Sequence, residues 1–587
     1  MLYKSTVNLS DIPCRYYLSK ANAQGSQYVY AHVGDKYNKE KKYSVPVRLA
    51  IGKVCADDSG KMYPNNNFYE KLPDVIVKEQ HPSRSMSQDI GAFLLIQRVF
   101  HELGIVSLLQ KHFLDKSALV LDLATFMMIC EDKALCHFKD YARTHPLFRE
   151  DQHIVSDETI SRFLSDTSQD QIYNYIVDWN AQNKNGAEIF ILYDASNKNC
   201  QAGDIDFVEF GHAQANADSP IGNYGIGLDA HKMLPLFYDG YQGSIPDVSQ
   251  LEQLVNKATE FGYQKITFIL DRGFFFDGNI RYIDESKCNF ILMVKGNKKL
   301  VGEIIDKLRG SFEMDHKYLI KTTSGVYGCT EKREFVGKDR YFHVYCSTQK
   351  LHTESDKLSK QIEDLEVHLR RCKGKILDST KDFDPYFDLQ KDKSGKLIFF
   401  ERKYDAITAE LKRAGYFTII TSEKMTAQEA YLLYKKRDSF EKIFCDDKAF
   451  LSSDSSVVHS TQALRTKMFI EFIALIARSR LYSLIQDASI RVKGCMVVHN
   501  VPDTLIVLDR VKAISLKPNG RYTLQNGLSR TTMQIFSYFG VSEIELNNMV
   551  SKLLSRLSAA SIEYENDLPI NATDKLEDGY DESSHAK

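Results

Sequence analysis

The spacing of apolar residues changes several times along this 587-residue chain, and each change predicts a different kind of element. Up to about residue 75, alternating Val, Tyr and Ile between Gly, Lys and Asn, as in QYVYAHVGDKYNKEKKYSVPVRLAIGKV, predict short antiparallel strands around polar turns. From about 88 to 180 the spacing becomes helical. Ile96, Val99, Phe100 and Leu103 fall at i, i+3, i+4 and i+7, and Gly104 follows as a C-cap. SDETISRFLSD opens on an N-cap signal and continues as a helix.

Strands and helices then alternate. EIFILYD is a strand ending at Asp194, and YGIGLDAHKMLPLFYDGY reads as a hairpin. DVSQLEQLVNKATEFG is an amphipathic helix, KITFILD a buried strand ending at Asp271, and NFILMVKG a further strand. Hairpin strands followed by strand–helix–strand units predict an α/β mixed sheet with flanking helices. The rhythm breaks over 297–415, where short β-like pieces surround a charged helix carrying Leu358, Ile362, Leu365 and Leu369. That spacing over two heptads predicts a packed hairpin helix rather than a coiled-coil dimer. The sheet pattern resumes with GYFTIIT, and another helix follows. The chain therefore divides into a β-rich region (1–75), a helical domain (76–180), one half of an α/β core (181–296), an α+β insertion (297–415), the other half of the core (416–500) and a C-terminal region (501–587).

Composition narrows the class. The chain is 43% hydrophobic and 26% charged with 13 prolines, as in a soluble globular protein of two to four domains. MFIEFIALIA is too short for a membrane span and contains Glu471, so it is expected as a buried helix. Eleven cysteines without a C-x-x-C pair suit free thiols in a reducing cytoplasm and imply neither a zinc site nor disulfides. The net charge is −2, yet the tail from Ser561 to Lys587 sets two lysines against eight acidic residues, a net of −6 that leaves +4 for the rest. Any DNA contact must then come from local patches; the last 25 or so residues are expected to be disordered.

Three carboxylates stand out by position: Asp194 and Asp271 at strand ends, and Glu441 on the helix after the last strand. Ligands collect at strand ends in α/β sheets, and gathered carboxylates suit Mg²⁺, which prefers oxygen ligands. An Asp there also serves as a turn former or N-cap, and both readings stand for each Asp. In YKKRDSFEKIFCDDK, Tyr434, Arg437, Glu441 and Lys448 have offsets that fall at roughly 0°, 300°, 340° and 320° around a helix. All four share a stripe about 60° wide, which is either a solvated face of ion pairs or a carboxylate flanked by phosphate-binding groups.

Asp on a first strand, Asp on a later strand, an insertion, and Glu within Y-x2-R-x3-E-x6-K resemble the DDE transposases of bacterial insertion sequences, and within them the branch with the Y-R-E-K signature. YDASN around Asp194 and LDRGFFF around Asp271 look like that branch's other two blocks, and the resemblance covers about 90–485. It implies a ribonuclease-H-like catalytic core in which Asp194, Asp271 and Glu441 hold two Mg²⁺ ions, with Mn²⁺ as a substitute. Tyr434, Arg437 and Lys448 would contact the DNA backbone near the scissile phosphate. Water would cut the phosphodiester at the element's end, and the freed 3′-hydroxyl would attack target DNA at the same site. The implied partners are double-stranded DNA (terminal inverted repeats and target) and a second copy of the chain in an end-paired dimer, with no membrane, in a bacterial cytoplasm at the nucleoid. The helical domain becomes the candidate reader of DNA ends, although it shows no clear helix-turn-helix signal.

Secondary features follow. Arg272 and Gly273 after Asp271, and Lys295, Lys298 and Lys299 in VKGNKKL, are candidate backbone contacts; His459 and Arg465 read as surface, and Trp179 as core. The alternative from another class is a transposase-derived DNA-binding regulator that no longer cuts.

Overall fold

The first alternating segments of the chain pair into one small sheet. In this computed structural model β1 (Val7–Asn8), β2 (Tyr16–Leu18), β3 (Tyr28–Asn38), β4 (Tyr43–Val54) and β5 (Lys61–Pro64) lie in the order β1-β5-β4-β3-β2, all antiparallel. Helix α1 (Asn66–Lys71), capped by Asn65, brings Phe68 onto Val7, Val29, Ile51 and Met62, which form a separate hydrophobic cluster. The structure describes residues 6–563 apart from 22–25, 39–42, 56–58, 73–84, 132, 185–187, 200–204, 206–207, 209–220, 243–249, 295–297, 322, 378, 452–459, 493 and 517–519. The chain forms two compact units, one of Met1–Leu103, Asp115–Phe163 and Leu484–Lys587, the other of Gly104–Leu114 and Leu164–Ser483.

After β6 (Ser87–Asp89) come α2 (Gly91–Glu102), α3 (Ile105–Phe113), α4 (Ser117–Ile129), α5 (Phe138–Thr144), α6 (Asp157–Asp166) and α7 (Gln169–Asn183). The helical stretch read from the sequence as one domain is thus shared out: α2, α4 and α5 belong to the first unit, α3 and α7 to the second. In the second unit, buried Trp179 and Asn180 on α7 donate to the carbonyls of Pro235 and Leu236, each at 2.8 Å. Both carbonyls lie on the edge strand of the large sheet, so α7 covers an edge that would otherwise present unpaired groups.

That sheet is built from β7 (Glu188–Asn199), β8 (Ile221–Asp229), β9 (Leu234–Gln242), β10 (Lys265–Leu270) and β11 (Asn289–Met293), with α8 (Leu251–Glu260) before β10 and α9 (Asp277–Glu285) before β11. Three antiparallel strands, β9-β8-β7, continue into the parallel strands β10 and β11. Ile266 to Leu270 are buried without a break, the pattern of a parallel strand covered on both faces. Beyond α10 (Lys298–Leu308), β12 (Val326–Phe335) and β13 (Lys338–Ser347) join the same sheet through β16 (Tyr416–Thr421), giving the order β12-β13-β16-β11-β10-β7-β8-β9. The first part of 297–415 therefore extends the sheet. The rest, α11 (Thr348–Arg371), β14 (Phe387–Lys391), β15 (Leu397–Arg402) and α12 (Tyr404–Leu411), has its own core of Leu358, Ile362, Leu369, Phe383, Phe387 and Leu397. The Leu-spaced helix accordingly packs on a hairpin.

Helix α13 (Ala427–Leu451) touches β7, β10, β11, β12, β13 and β16, so it lies across one face of the sheet. The long α14 (Thr461–Arg491) is buried from Met468 to Ala477, with Glu471 3% exposed. After it, α15 (Val501–Leu508), β17 (Lys512–Ser515), β18 (Tyr522–Leu524), α16 (Arg530–Tyr538) and α17 (Glu543–Glu563) complete the first unit, where β17 sits between β18 and β6. Among the described residues no single helix is long and apolar enough to cross a membrane, and the nine described cysteines are free. Residues 564–587, most of the stretch expected to be disordered, lie outside the described residues.

Candidate active site

Asp194 and Asp271 are brought together by strand register. β7 and β10 run parallel, with Leu192 paired to Ile269 as the last rung. Two residues further on, Asp194 lies inside β7, which runs on to Asn199 through its pairing with β8 instead of ending at the aspartate as the sequence suggested, while Asp271 is the first residue after β10, and the register puts both on one face. Their side chains are 24% and 38% exposed, and a cation lies against both. Asp271 also acts as an N-cap, its Oδ1 accepting the Arg272 backbone N–H at 2.6 Å to start the 3-10 turn Arg272–Phe274. The capping reading of this residue is thus realised in geometry.

The cation is Arg437. Its guanidinium donates to Asp271 Oδ1 at 2.5 Å and lies 3.8 Å from Asp194 Oδ1. It also donates to the Tyr434 hydroxyl at 3.2 Å. On α13 the positions Ala427, Ala430, Tyr434, Arg437 and Phe440 are all buried, so the described half of the stripe, Tyr434 and Arg437, is turned to the sheet and not to solvent. Burial alone would lower the Arg437 pKa; the Tyr434 hydroxyl, Asp194 and Asp271 more than offset it and hold the guanidinium above its ordinary value. Its permanent charge is the counterweight to the carboxylate pair. Beside it, burial lowers the pKa of Lys436, opposed by Asp229.

The side chains of Glu441 and Lys448 lie outside the described residues, although α13 carries the backbone past both, and Lys295 and His459 lie outside them altogether. Arg272 contributes its backbone N–H to the cap, while its side chain, like those of Lys299 and Arg465, is exposed. Three supporting residues escaped the sequence reading. Tyr193 and Phe274 meet edge to face at 6.1 Å beside the two aspartates, and a Cβ on Gly225 would collide with the Tyr193 hydroxyl. Only the glycine leaves room for that ring, a signal that no spacing rule carries.

Two carboxylates on adjacent strands, Asp194 within β7 and Asp271 just past β10, form an all-oxygen donor set that fits a hard divalent cation. The oxygens such an ion would take are those Arg437 now engages. Among the described residues a possible acidic–histidine metal group also occurs in the first unit, formed by Asp89, His145 and Asp509. There His145 Nε2 is 3.3 Å from Asp509 Oδ2 and Nδ1 is 3.0 Å from the Tyr141 carbonyl, but Asp89 is already paired with Lys512.

An Asp pair where β10 ends beside β7, backed by an arginine from the helix across the sheet, is the site's geometry, and one family model matches the part of the chain that holds most of it. Residues 223–477 match the family model described as Transposase DDE domain, a stretch that contains Asp271, Tyr434, Arg437, Glu441 and Lys448 and begins after Asp194. That stretch of the chain is thus similar to a transposase DDE domain. No curated protein matches it. Among matching solved structures is the cryo-EM structure of a piggyBac transposase synaptic complex with hairpin DNA, 11% identical, covering 72% of this chain and 68% of that one at a TM-score of 0.30.

Proposed function

We propose that the protein is a divalent-metal-dependent DNA transposase of the Y-R-E-K branch found in bacterial insertion sequences. It cuts at the ends of its own element and joins the freed 3′-hydroxyls to target DNA. The observation that carries the reading is the convergence of Asp194, Asp271 and the Y-R-E-K arginine Arg437 where β10 ends beside β7, in a chain whose residues 223–477 match a transposase DDE domain. The run of antiparallel strands into two parallel ones supports a ribonuclease-H-like core.

In this reading Asp194, Asp271 and Glu441 hold two Mg²⁺ ions, or Mn²⁺ in their place. Bound there, the ions supply Lewis-acid charge to the scissile phosphate and make water a stronger nucleophile. The chain's own groups position the DNA. Arg437 offers a planar fork that matches two phosphate oxygens, Tyr434 steadies that fork through its hydroxyl, and Lys448 and Arg272 supply positive charge along the backbone, with Lys295 beyond them. Two ends are cut in concert by a pair of chains, in the bacterial cytoplasm at the nucleoid.

The test is to place the gene with its native flanking DNA on a plasmid and assay Mg²⁺-dependent cleavage at the boundaries. Wild type should leave 3′-hydroxyl ends, and Asp194→Asn should cut at least about a thousandfold more slowly, as for loss of a group acting in the transition state. Boundary binding without cutting, unchanged by the substitution, would leave the protein a DNA-binding regulator instead.

A further inference from the structure

The small N-terminal sheet is unevenly supported. β2 pairs with β3 only from Val29 to Ala31, and β5 pairs with β4 only from Gly52 to Val54. The His32 N–H still donates to the Arg15 carbonyl at 2.8 Å; beyond it β3 and β4 continue alone, with Gly34 paired to Val47, Tyr37 to Ser44 and Asn38 to Tyr43. The local core takes Val29, Ala31, Ile51 and Val54 from the two strands and nothing from this outer part. What remains is a two-stranded ribbon about seven residues long, roughly 24 Å at 3.4 Å per residue, with both edges unpaired by any described strand. A register shift between His32 and Gly34 marks a bulge, which adds local twist.

Such a ribbon is marginally stable by itself and invites edge-to-edge association. It nevertheless exposes apolar and aromatic groups: Val33 is 46% exposed, Tyr37 60%, Tyr43 55% and Val47 41%. Its charge is one-sided. From His32 to Arg48 the sequence has five lysines and arginines against two acidic residues, a net of +3 in a chain whose total is −2. At its base the Arg48 guanidinium lies 4.2 Å and that of Arg15 5.3 Å from the Tyr17 ring centroid, and Tyr17 lies 6.2 Å from His32. The ring holds Arg48 flat against the sheet by its face, leaving the edge of the fork for another acceptor.

We propose that the outer half of the β3–β4 hairpin is a DNA-binding arm that lies in the major groove of duplex DNA. The groove, about 12 Å wide, admits a two-stranded ribbon, whereas the minor groove at about 6 Å does not. Lys36 and Arg48 would meet the flanking phosphates; by the register Tyr43 shares a face with Lys36 and would meet the groove floor, while Tyr37 on the opposite face would meet the groove wall. This surface goes beyond the cleavage site, and it lies outside 76–180, where the sequence placed the reading of DNA ends. Only the choice of a DNA probe rests on the transposase reading.

The experiment is fluorescence anisotropy with the full-length chain carrying Asp194→Asn, so that the probe is not cut. The probes are a labelled duplex spanning the native element boundary, a scrambled duplex, and one strand of the boundary sequence, each titrated at several salt concentrations. Adding Lys36→Gln and Arg48→Gln should weaken duplex binding at least tenfold and reduce the slope of log K against log salt by about 2, at roughly 0.9 per lost phosphate contact. Tyr37→Ser with Tyr43→Ser should weaken binding at an unchanged salt slope, and circular dichroism melts should show all variants folded, since the positions are exposed. Unchanged affinity and slope, or tighter binding of the single strand than of the duplex, would overturn the arm. If wild type fails to cut boundaries while duplex binding still depends on the ribbon, only the cleavage reading falls; cutting with ribbon-independent binding sinks only the arm.

Discussion

The guanidinium of Arg437 touches both carboxylates of the site, so replacing it changes charge before it changes packing. With Arg437→Gln, Asp194 and Asp271 keep their mutual repulsion and lose their counterweight. In chelator the loss should be on the order of 1–3 kcal/mol, below the full value of a broken buried pair because Asp271 is 38% exposed. If an incoming divalent ion shares these oxygens with the arginine, Mg²⁺ should raise the melting midpoint of the variant more than that of wild type. Equal rises in both proteins would mean that the arginine and the metal do not share ligands.

At the scale of elements, β13 contains a titratable group with a consequence for the sheet. His343 is fully buried, with Nδ1 2.8 Å from the Thr330 hydroxyl and Nε2 3.0 Å from that of Thr421. Thr421 donates its own proton to the Glu423 carbonyl, so it accepts from Nε2–H and the ring is held neutral. Burial pushes the His343 pKa down to about 4, with Glu429 pulling weakly the other way. The unfolded chain then binds a proton that the folded one refuses, so stability should fall as pH drops from about 6.5 to about 4, by roughly 3 kcal/mol in all. Thermal melts across that range should show a shallower decline for His343→Asn than for wild type; parallel curves would remove the histidine from the pH response. The sequence made much of this scale readable. The end of β10 was legible at Asp271, and the 3.6-residue period put Tyr434 and Arg437 on one face, because both signals are local, whereas the pairing with β8 that carries β7 past Asp194 to Asn199 is not. It missed β12 and β13 as strands of the large sheet, since short alternating runs do not say which sheet they join. It also missed β17, whose partner β6 lies over 400 residues earlier in the chain, a pairing that no local pattern encodes.

Over the whole molecule the charges are sorted along the chain rather than spread. Residues 1–72 have eleven basic residues against six acidic, a net of +5, while 564–587 have two lysines against seven acidic residues, a net of −5. The two ends cancel, so the net of −2 is compatible with the DNA contacts proposed for the site and the ribbon. An acidic segment tethered to a DNA-binding chain competes with DNA for the same cations, and the competition weakens as salt screens it. A chain ending at Glu563, with its net charge raised to +3, should therefore bind scrambled duplex several-fold more tightly than the full chain at low salt. The two should converge as ionic strength rises past about 0.2 M, where the Debye length shrinks to around 7 Å. The same comparison with Lys36→Gln and Arg48→Gln in place locates the competition. If the tail acts on the ribbon, truncation should gain less affinity in that background; an equal gain would place its target among the cations elsewhere on the chain.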